Sequence, residues 1–396
     1  MNHYVLDNVN LWIGDGNAYH GHLVVAGDRI ESVSPGPYDG PLPATDMERT
    51  NLSPGMVDLM LLGGFGKSIM RDDPLDIARE CVRLGVTAIQ FASGTLNWEA
   101  YTRIAENVRQ AMKHDRPDAA RVLGWYPEGP FQHPEMTGAS LREYALPPTP
   151  ENMQRILDEM GDIFRMINVS PGTEDDLNAI RTFGAAGKVV SMAHANASAE
   201  HTLDCVAAGT SVLGHFHCNN RGRLDEIGRG LPSIDEVGLT DDRVRFVHLI
   251  CDGVHVHPML VRLVLRCRGV EAICLVTDAH PSTGCADGPF TWDDGRTFIK
   301  TGPVARMEDG RLVGSAMMSP DHFRNFIKFT GLPPQEALRT VTHNPAVSIG
   351  LGDELGLLSP GHMADLAAWD DSLNLHRVWR AGQEITNVST LAEVQL

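Results

Sequence analysis

The sequence predicts a (β/α)8 barrel joined to a small β domain built from both ends of the chain. Three observations carry this. Strand-like apolar runs alternate with helix-like segments about eight times within residues 54–351. Residues 1–53 and 352–396 read as strands and turns instead. No GxGxxG opens the first helix-like segment, which weighs against an open doubly wound sheet.

The elements follow in order. YVLDNVNLWIGDG, HLVVAGDRIESVSPG and the segment to Leu52 are short strands separated by Gly, Asp and Pro. MVDLMLLG then precedes the helical DPLDIARECVRLG, and TAIQFAS precedes WEAYTRIAENVRQAMKH. RVLGWYPEGP comes next. FRMINVSPG precedes EDDLNAIRTFGAAG, VVSMAHA precedes SAEHTLDCVAAG, and SVLGHFH leads into a long polar loop. RFVHLICDG precedes HPMLVRLVLRCRG. ICLVTDA is the last clear strand before a hairpin-like insertion, PFTWDDGRTFIKTGPVARMEDGRLVG. ADLAAWDDSLNLHRVWRAGQEI returns to strand alternation, with turns at Asp370-Asp371 and Ala381-Gly382. This reading places Val24 and Leu366 in one small β domain.

Four polar residues end four of the apolar runs. Glu128 follows RVLGWYP, His194 follows KVVSMA, His215 follows TSVLG and Asp278 follows AICLVT. Either histidine alone reads best as a core residue bonded to backbone. Both together, each after a strand of a different unit, point to a ligand pair. Glu128 in PEGP has little polar sequence around it, against its reading as a solvated loop acid. Two His and one Glu leave a coordination position open for water, as a catalytic metal site requires. Zn2+ suits the set, and Fe2+ or Mn2+ accepts the same donors. Asp278 fits a helix N-cap, but Pro281 and the glycines beyond it oppose an immediate helix. The expected role is acid/base catalysis beside a metal-bound water. CDGVHVHP offers His255 as a pocket residue, with His257, before Pro258, on the surface at a helix start. Cys218, beside the metal loop, reads best as a small buried apolar residue.

Bulk properties narrow the classes. The chain has 396 residues, 42% hydrophobic and 21% charged, enough for one large domain and a smaller one. A net charge of -18 argues against nucleic acid or an anionic membrane as partner. No apolar run has the length of a membrane span. The opening MNHYVLDNVNLWIGDG lacks a signal-like basic and apolar region. Seven scattered Cys without a CxxC read as reduced thiols in a cytoplasm.

These motifs together resemble the amidohydrolase superfamily and, within it, the N-acetylglucosamine-6-phosphate deacetylase family. The resemblance covers nearly the whole chain. It is carried by SPGMVDL at 53–59, PEGP at 127–130, AHANAS at 193–198, GHFHCNN at 214–220, CDGVHV at 251–256, LVTDA at 275–279 and LVGSAMM at 312–318, with THNPAVSIGL and LGLLSPGHMADLAAWD near the end. It implies a (β/α)8 TIM barrel, a β-sandwich from both termini and a homodimer. Carried over residue by residue, it makes Glu128, His194 and His215 the metal ligands and Asp278 the general acid/base. His255 matches a substrate-contacting histidine. Met317 and Met318 flank the acyl group, and Gly63 and Gly64 fit the turn after the first barrel strand.

The chain departs from the family at three places. Many amidohydrolases carry HxH after the first barrel strand; here Met60 and Leu62 stand in DLMLLG, so one metal is expected rather than two. Ser140 occupies the place of a His or Gln that polarises the substrate carbonyl, with His133 as a nearby substitute. The family's HLYNAM-like motif reads HFHCNN, which brings Asn219 and Asn220 into the substrate-binding set. The family also uses an Arg from the partner subunit; Arg221, Arg223 and Arg229 lie in that loop, and Arg229 is taken as the candidate.

The expected function is metal-dependent deacetylation of an N-acetylated amino sugar, N-acetylglucosamine 6-phosphate by default. Two alternatives stand beside it: the same hydrolysis on another N-acyl compound, an unphosphorylated or pathway-specific one included, and a non-catalytic binding protein on the same fold.

Overall fold

The computed structural model describes residues 2–218, 220, 223, 224, 229–386 and 388. Eight parallel strands form the barrel: β1 (Met56–Leu61), β2 (Val86–Ser93), β3 (Arg121–Pro127), β4 (Met166–Asn168), β5 (Val189–Met192), β6 (Thr210–Leu213), β7 (Phe246–Leu249) and β8 (Ile273–Leu275). They are bonded as two arcs, β1–β2–β3 and β4 through β8. A parallel bridge from Leu61 to Ala279 closes one seam. At the other, the Trp125 amide donates to the Ile163 carbonyl at 2.8 Å. Closure excludes the open-sheet alternative. The strands are buried almost throughout, which is why they read as continuous apolar runs rather than alternating ones.

Among the described residues, the helices of seven residues or more that flank the barrel are α1 (Pro74–Arg83), α2 (Trp98–Lys113), α3 (Pro150–Met160), α4 (Asp176–Ala185), α5 (Ala199–Ala208), α6 (Ile234–Thr240), α7 (Pro258–Arg268) and α8 (Ser319–Thr330). Several starts were written locally. Asp73, Asn97, Thr149 and Ser198 accept amide hydrogens of the first turns of α1, α2, α3 and α5. His257 caps α7 with its ring, in keeping with its surface assignment.

Both chain ends meet in one branched eight-stranded sheet. Leu366–Trp369 pairs antiparallel with Asn51–Pro54, which pairs parallel with His3–Trp12. Val24 and Leu366 thus share this sheet. The hairpin-like insertion is a three-stranded antiparallel sheet, Gly288–Thr291, Thr297–Thr301 and Val304–Met307.

Asp58, buried in β1, pulls the closing seam together. Its carboxylate accepts from the Thr277 hydroxyl at 2.6 Å, the Ser319 hydroxyl at 3.0 Å and the Met60 amide at 3.2 Å. One side chain therefore ties β1, the end of β8 and the start of α8. Burial raises its pKa, and these donors oppose the rise. Asp58→Ala leaves buried donors without an acceptor and should cost about 3 kcal/mol in urea unfolding. Asp58→Asn, which keeps one acceptor oxygen, should cost less.

Candidate active site

Glu128, His194, His215 and Asp278 stand where β3, β5, β6 and β8 end, on the C-terminal face of the barrel. His194 and Asp278 both adopt left-handed backbone, φ 53° and φ 53°. A β-strand turned abruptly into that region aims its next side chain inward, and non-glycine residues hold it only where the surroundings enforce it.

Three ligand atoms converge. His215 Nε2 lies 2.7 Å from Glu128 Oε1 and 3.0 Å from His194 Nε2, and His194 Nε2 lies 3.5 Å from Glu128 Oε1. His194 Nδ1 donates to the Met136 carbonyl at 2.6 Å, which directs the Nε2 lone pair to the other two ligands. Two imidazole nitrogens and a carboxylate facing one point call for positive charge between them. Burial raises the Glu128 carboxyl, but the two histidines overcome it and hold it below the usual range. Burial pulls His215 down, and Glu128 more than offsets this, to about 9. The donor set, its closeness and the fixed His194 tautomer fit a divalent cation.

Asp278 is half-buried and lines the cavity described below. Burial first, and the Glu128 charge next, push its carboxyl up to about 7. His255 donates Nδ1–H to Asp252 at 2.7 Å and lines the same cavity, leaving Nε2 for a ligand. Burial opposes ionisation of Asp252, yet His255 brings it down to about 2. Burial, with Asp278 nearby, pushes the Cys218 thiol well above its ordinary range.

These groups open on a cavity of about 490 Å3. Ser140 is on its wall, but its hydroxyl accepts the Thr95 amide at 3.2 Å. His133 is absent from the wall; its Nδ1 accepts the Glu135 amide at 3.3 Å. Asn220 is engaged in holding the loop: its amide donates to Asp235 at 3.1 Å and accepts from the Ala195 amide at 3.4 Å. Leu312 and Gly314 line the cavity, whereas Met317 does not, its sulfur accepting from Asn325 at 3.6 Å. Arg229 is exposed and away from the wall. Asn219, Arg221 and the side chain of Arg223 lie outside the described residues. Met60 is buried in the core, Leu62 lines the cavity, and neither supplies a hard ligand.

Sequence reading missed a long-range support. From the insertion, Arg311 donates to the Gly138 carbonyl at 2.6 Å and Arg296 to the Ala139 carbonyl at 2.8 Å. These carbonyls are two and three residues past Met136, whose own carbonyl orients His194. No local motif marks such contacts, which cross more than 150 residues (157 and 173). Asp252 was more legible, three residues before His255 in CDGVHV.

A closed parallel barrel with buried Glu, His and His ligands and an adjacent Asp at its strand ends is the architecture of a metal-centred hydrolase. The comparisons give the family. The Amidohydrolase family model matches residues 173–391. An N-acetylgalactosamine-6-phosphate deacetylase of Escherichia coli O157:H7 is 30% identical, covering 87% of this chain and 90% of its own. An N-acetylglucosamine-6-phosphate deacetylase of Vibrio furnissii is 27% identical over 89% of this chain and 88% of its own. A mutant N-acetyl-D-glucosamine-6-phosphate deacetylase from Mycobacterium smegmatis, solved with N-acetyl-D-glucosamine-6-phosphate, superposes with a TM-score of 0.88 at 27% identity, covering 98% and 100% of the two chains. The chain belongs to the amidohydrolase family and is a hydrolase.

Two outcomes test the site. His194→Ala should abolish the rise in Tm that zinc gives the wild type, a rise expected because a ligand bound only by the folded state stabilises it. Joint Arg296→Ala and Arg311→Ala substitution should weaken zinc binding about 10–100-fold in competition with a chelator, as loss of a ligand's outer support does. Unchanged affinity would show that the insertion does not orient His194.

Proposed function

We propose that the chain removes the acetyl group from an N-acetylated amino sugar phosphate, with N-acetylglucosamine 6-phosphate as the default substrate. The carrying observation is the convergence of Glu128, His194 and His215 beside half-buried Asp278, in a chain whose relatives are named as deacetylases of such sugars. The same reading takes one resident divalent ion, zinc before iron or manganese, held by Glu128, His194 and His215. The absence of a donor at Met60 and Leu62 supports a single ion. A homodimer is supported by the family resemblance. A cytoplasmic setting is supported by seven cysteines without a disulfide.

When bound, the ion polarises the acyl carbonyl and acidifies water. Asp278 supplies the proton traffic. A carboxylate oxygen takes a proton from the attacking water as its oxygen bonds to the acyl carbon. The same carboxyl then gives that proton to the nitrogen as the C–N bond breaks, releasing acetate and the free amine. Desolvation of the Asp278 carboxyl and the nearby Glu128 charge keep its affinity for a proton high enough for both steps. His255, held by Asp252, presents Nε2 to the bound substrate.

A second reading, hydrolysis of a different or unphosphorylated N-acyl compound, is favoured by Ser140 and Asn220. Both are spent on internal hydrogen bonds in places where the family resemblance puts substrate contacts. Acetate release from N-acetylglucosamine 6-phosphate and from N-acetylglucosamine, measured side by side on zinc-loaded protein, separates them. Strong preference for the phosphorylated sugar supports the first; failure on both with a full metal complement supports the second.

Asp278→Asn should lower kcat by roughly 10²–10⁴-fold with metal content unchanged. An unaltered rate would remove Asp278 from the mechanism. The base works ionised, so kcat/KM should fall as pH drops through its pKa, at or below about 7 because a neighbouring cation lowers it. An acid limb above pH 8 would oppose this.

A further inference from the structure

One stretch of the insertion runs along the cavity wall from Asp278 to the rim. At its inner end the Ser315 amide donates to the Asp278 carbonyl at 3.0 Å. Gly314, Leu312 and Gly310 follow along the wall, and Arg306 lines the same cavity. Arg306 and Leu312 are antiparallel bridge partners across the turn between them. Residues directly opposite in such a bridge carry their side chains on one face, so Arg306 projects to the side on which Leu312 meets the cavity. Leu312 is half-buried there, and Arg306 is exposed, open to a ligand in the cavity mouth.

The charged residues of this wall pair off, and one cation is left over. Asp293 meets Arg71 at 2.9 Å, Arg296 meets Asp294 at 2.6 Å and Arg311 meets Asp309 at 2.7 Å. Arg306 forms no ion pair among the described residues. Its Nη1 donates to the Gly310 carbonyl at 2.8 Å, which steadies one prong of the guanidinium and leaves the rest of the fork open. Glu308, the nearest acid in sequence, accepts from the Thr297 hydroxyl at 3.4 Å and does not line the cavity. An open guanidinium fork matches phosphate oxygens in geometry and charge. The need for one is real in this chain: a net charge of -18 repels an anionic substrate, and a local cation at the mouth offsets that field.

We propose that Arg306 is a specificity-determining residue whose guanidinium binds the phosphate group of the substrate at the cavity mouth. The proposal rests on the amino-sugar phosphate reading above and assigns an anion contact to the insertion of the same subunit, outside the 217–229 loop. It gives the two ends of one wall separate tasks: Asp278 serves the acyl group, and Arg306 holds the phosphate. A sugar without phosphate gains nothing from Arg306 and loses nothing when it is removed.

Arg306→Ala removes the fork, and Arg306→Lys keeps the charge without the two-pronged geometry. Steady-state kinetics on the zinc-loaded protein, with N-acetylglucosamine 6-phosphate and N-acetylglucosamine, are combined with calorimetric titration of the phosphorylated sugar into Asp278→Asn with and without Arg306→Ala. Arg306→Ala should raise KM for the phosphorylated sugar about tenfold or more, the effect of a lost hydrogen bond to a charged group. Arg306→Lys should raise it less. kcat, metal content, circular dichroism and the KM for N-acetylglucosamine should change little. Potassium chloride should lower kcat/KM for the phosphorylated sugar more steeply in the wild type than in Arg306→Ala. If the wild type prefers the phosphorylated sugar and Arg306→Ala leaves its KM unchanged, or raises KM for both sugars equally, the role of Arg306 is overturned and the deacetylase reading stands. If the wild type hydrolyses neither sugar, but Asp278→Asn binds the phosphorylated one and Arg306→Ala weakens that binding, Arg306 stands and the deacetylase reading fails. If the wild type hydrolyses both sugars equally well, or Asp278→Asn binds no phosphorylated sugar, Arg306 and the sugar-phosphate reading are both overturned.

Discussion

A buried carboxylate facing two imidazoles is the constraint on which this molecule's active end depends. Glu128, His194 and His215 sit within about 3.5 Å of one another, each nearly buried at the wall of the cavity. A buried charge of this kind is costly unless it is paired. Protons on histidine satisfy it in part, and a divalent cation satisfies it with the geometry these donors already have. That demand ties folding to function: the barrel that brings these three side chains together also creates a site that favours positive charge.

Precision in the site comes from outside the ligands themselves. Met136 fixes the His194 tautomer through its carbonyl, and the loop bearing Met136 is gripped by Arg296 and Arg311. The same insertion contributes Trp292 to the cavity wall. A segment interrupting the barrel sequence after β8 thus braces the loop that orients His194 and lines the cavity. The barrel supplies rigid strand ends, and the insertion reaches across them to the loop after β3.

Asp278 shows how one environment sets a residue's chemistry. Its carboxyl shares one cavity with Glu128, whose charge raises the cost of ionising it as well. The histidines favour charge on Glu128, so the proton affinity is concentrated on Asp278. Two carboxylic acids in one cavity are thus set apart in proton affinity by their neighbours rather than by their own structures.

Much of this was legible along the chain. Buried parallel strands announce themselves as unbroken apolar runs, so β3, β5, β6 and β8 were readable, and with them the residues that end each one. Glu128, His194, His215 and Asp278 were found because a polar residue at the end of an apolar strand is locally conspicuous. The helix caps at Asp73, Asn97 and Ser198 were equally local. Other relations have no local signature. Nothing near Ser140 or Asn220 reveals that Thr95, Asp235 and Ala195 occupy their polar atoms. Nothing near Arg311 points to Gly138, or near Asp58 to Ser319. Sequence by itself determined which elements form, which side chains stand at their ends and what chemistry those side chains can perform, because these follow from short-range periodicity and residue type. Only the tertiary structure decided which polar atoms remain free for a ligand. Hydrogen-bond satisfaction depends on partners brought together from distant parts of the chain.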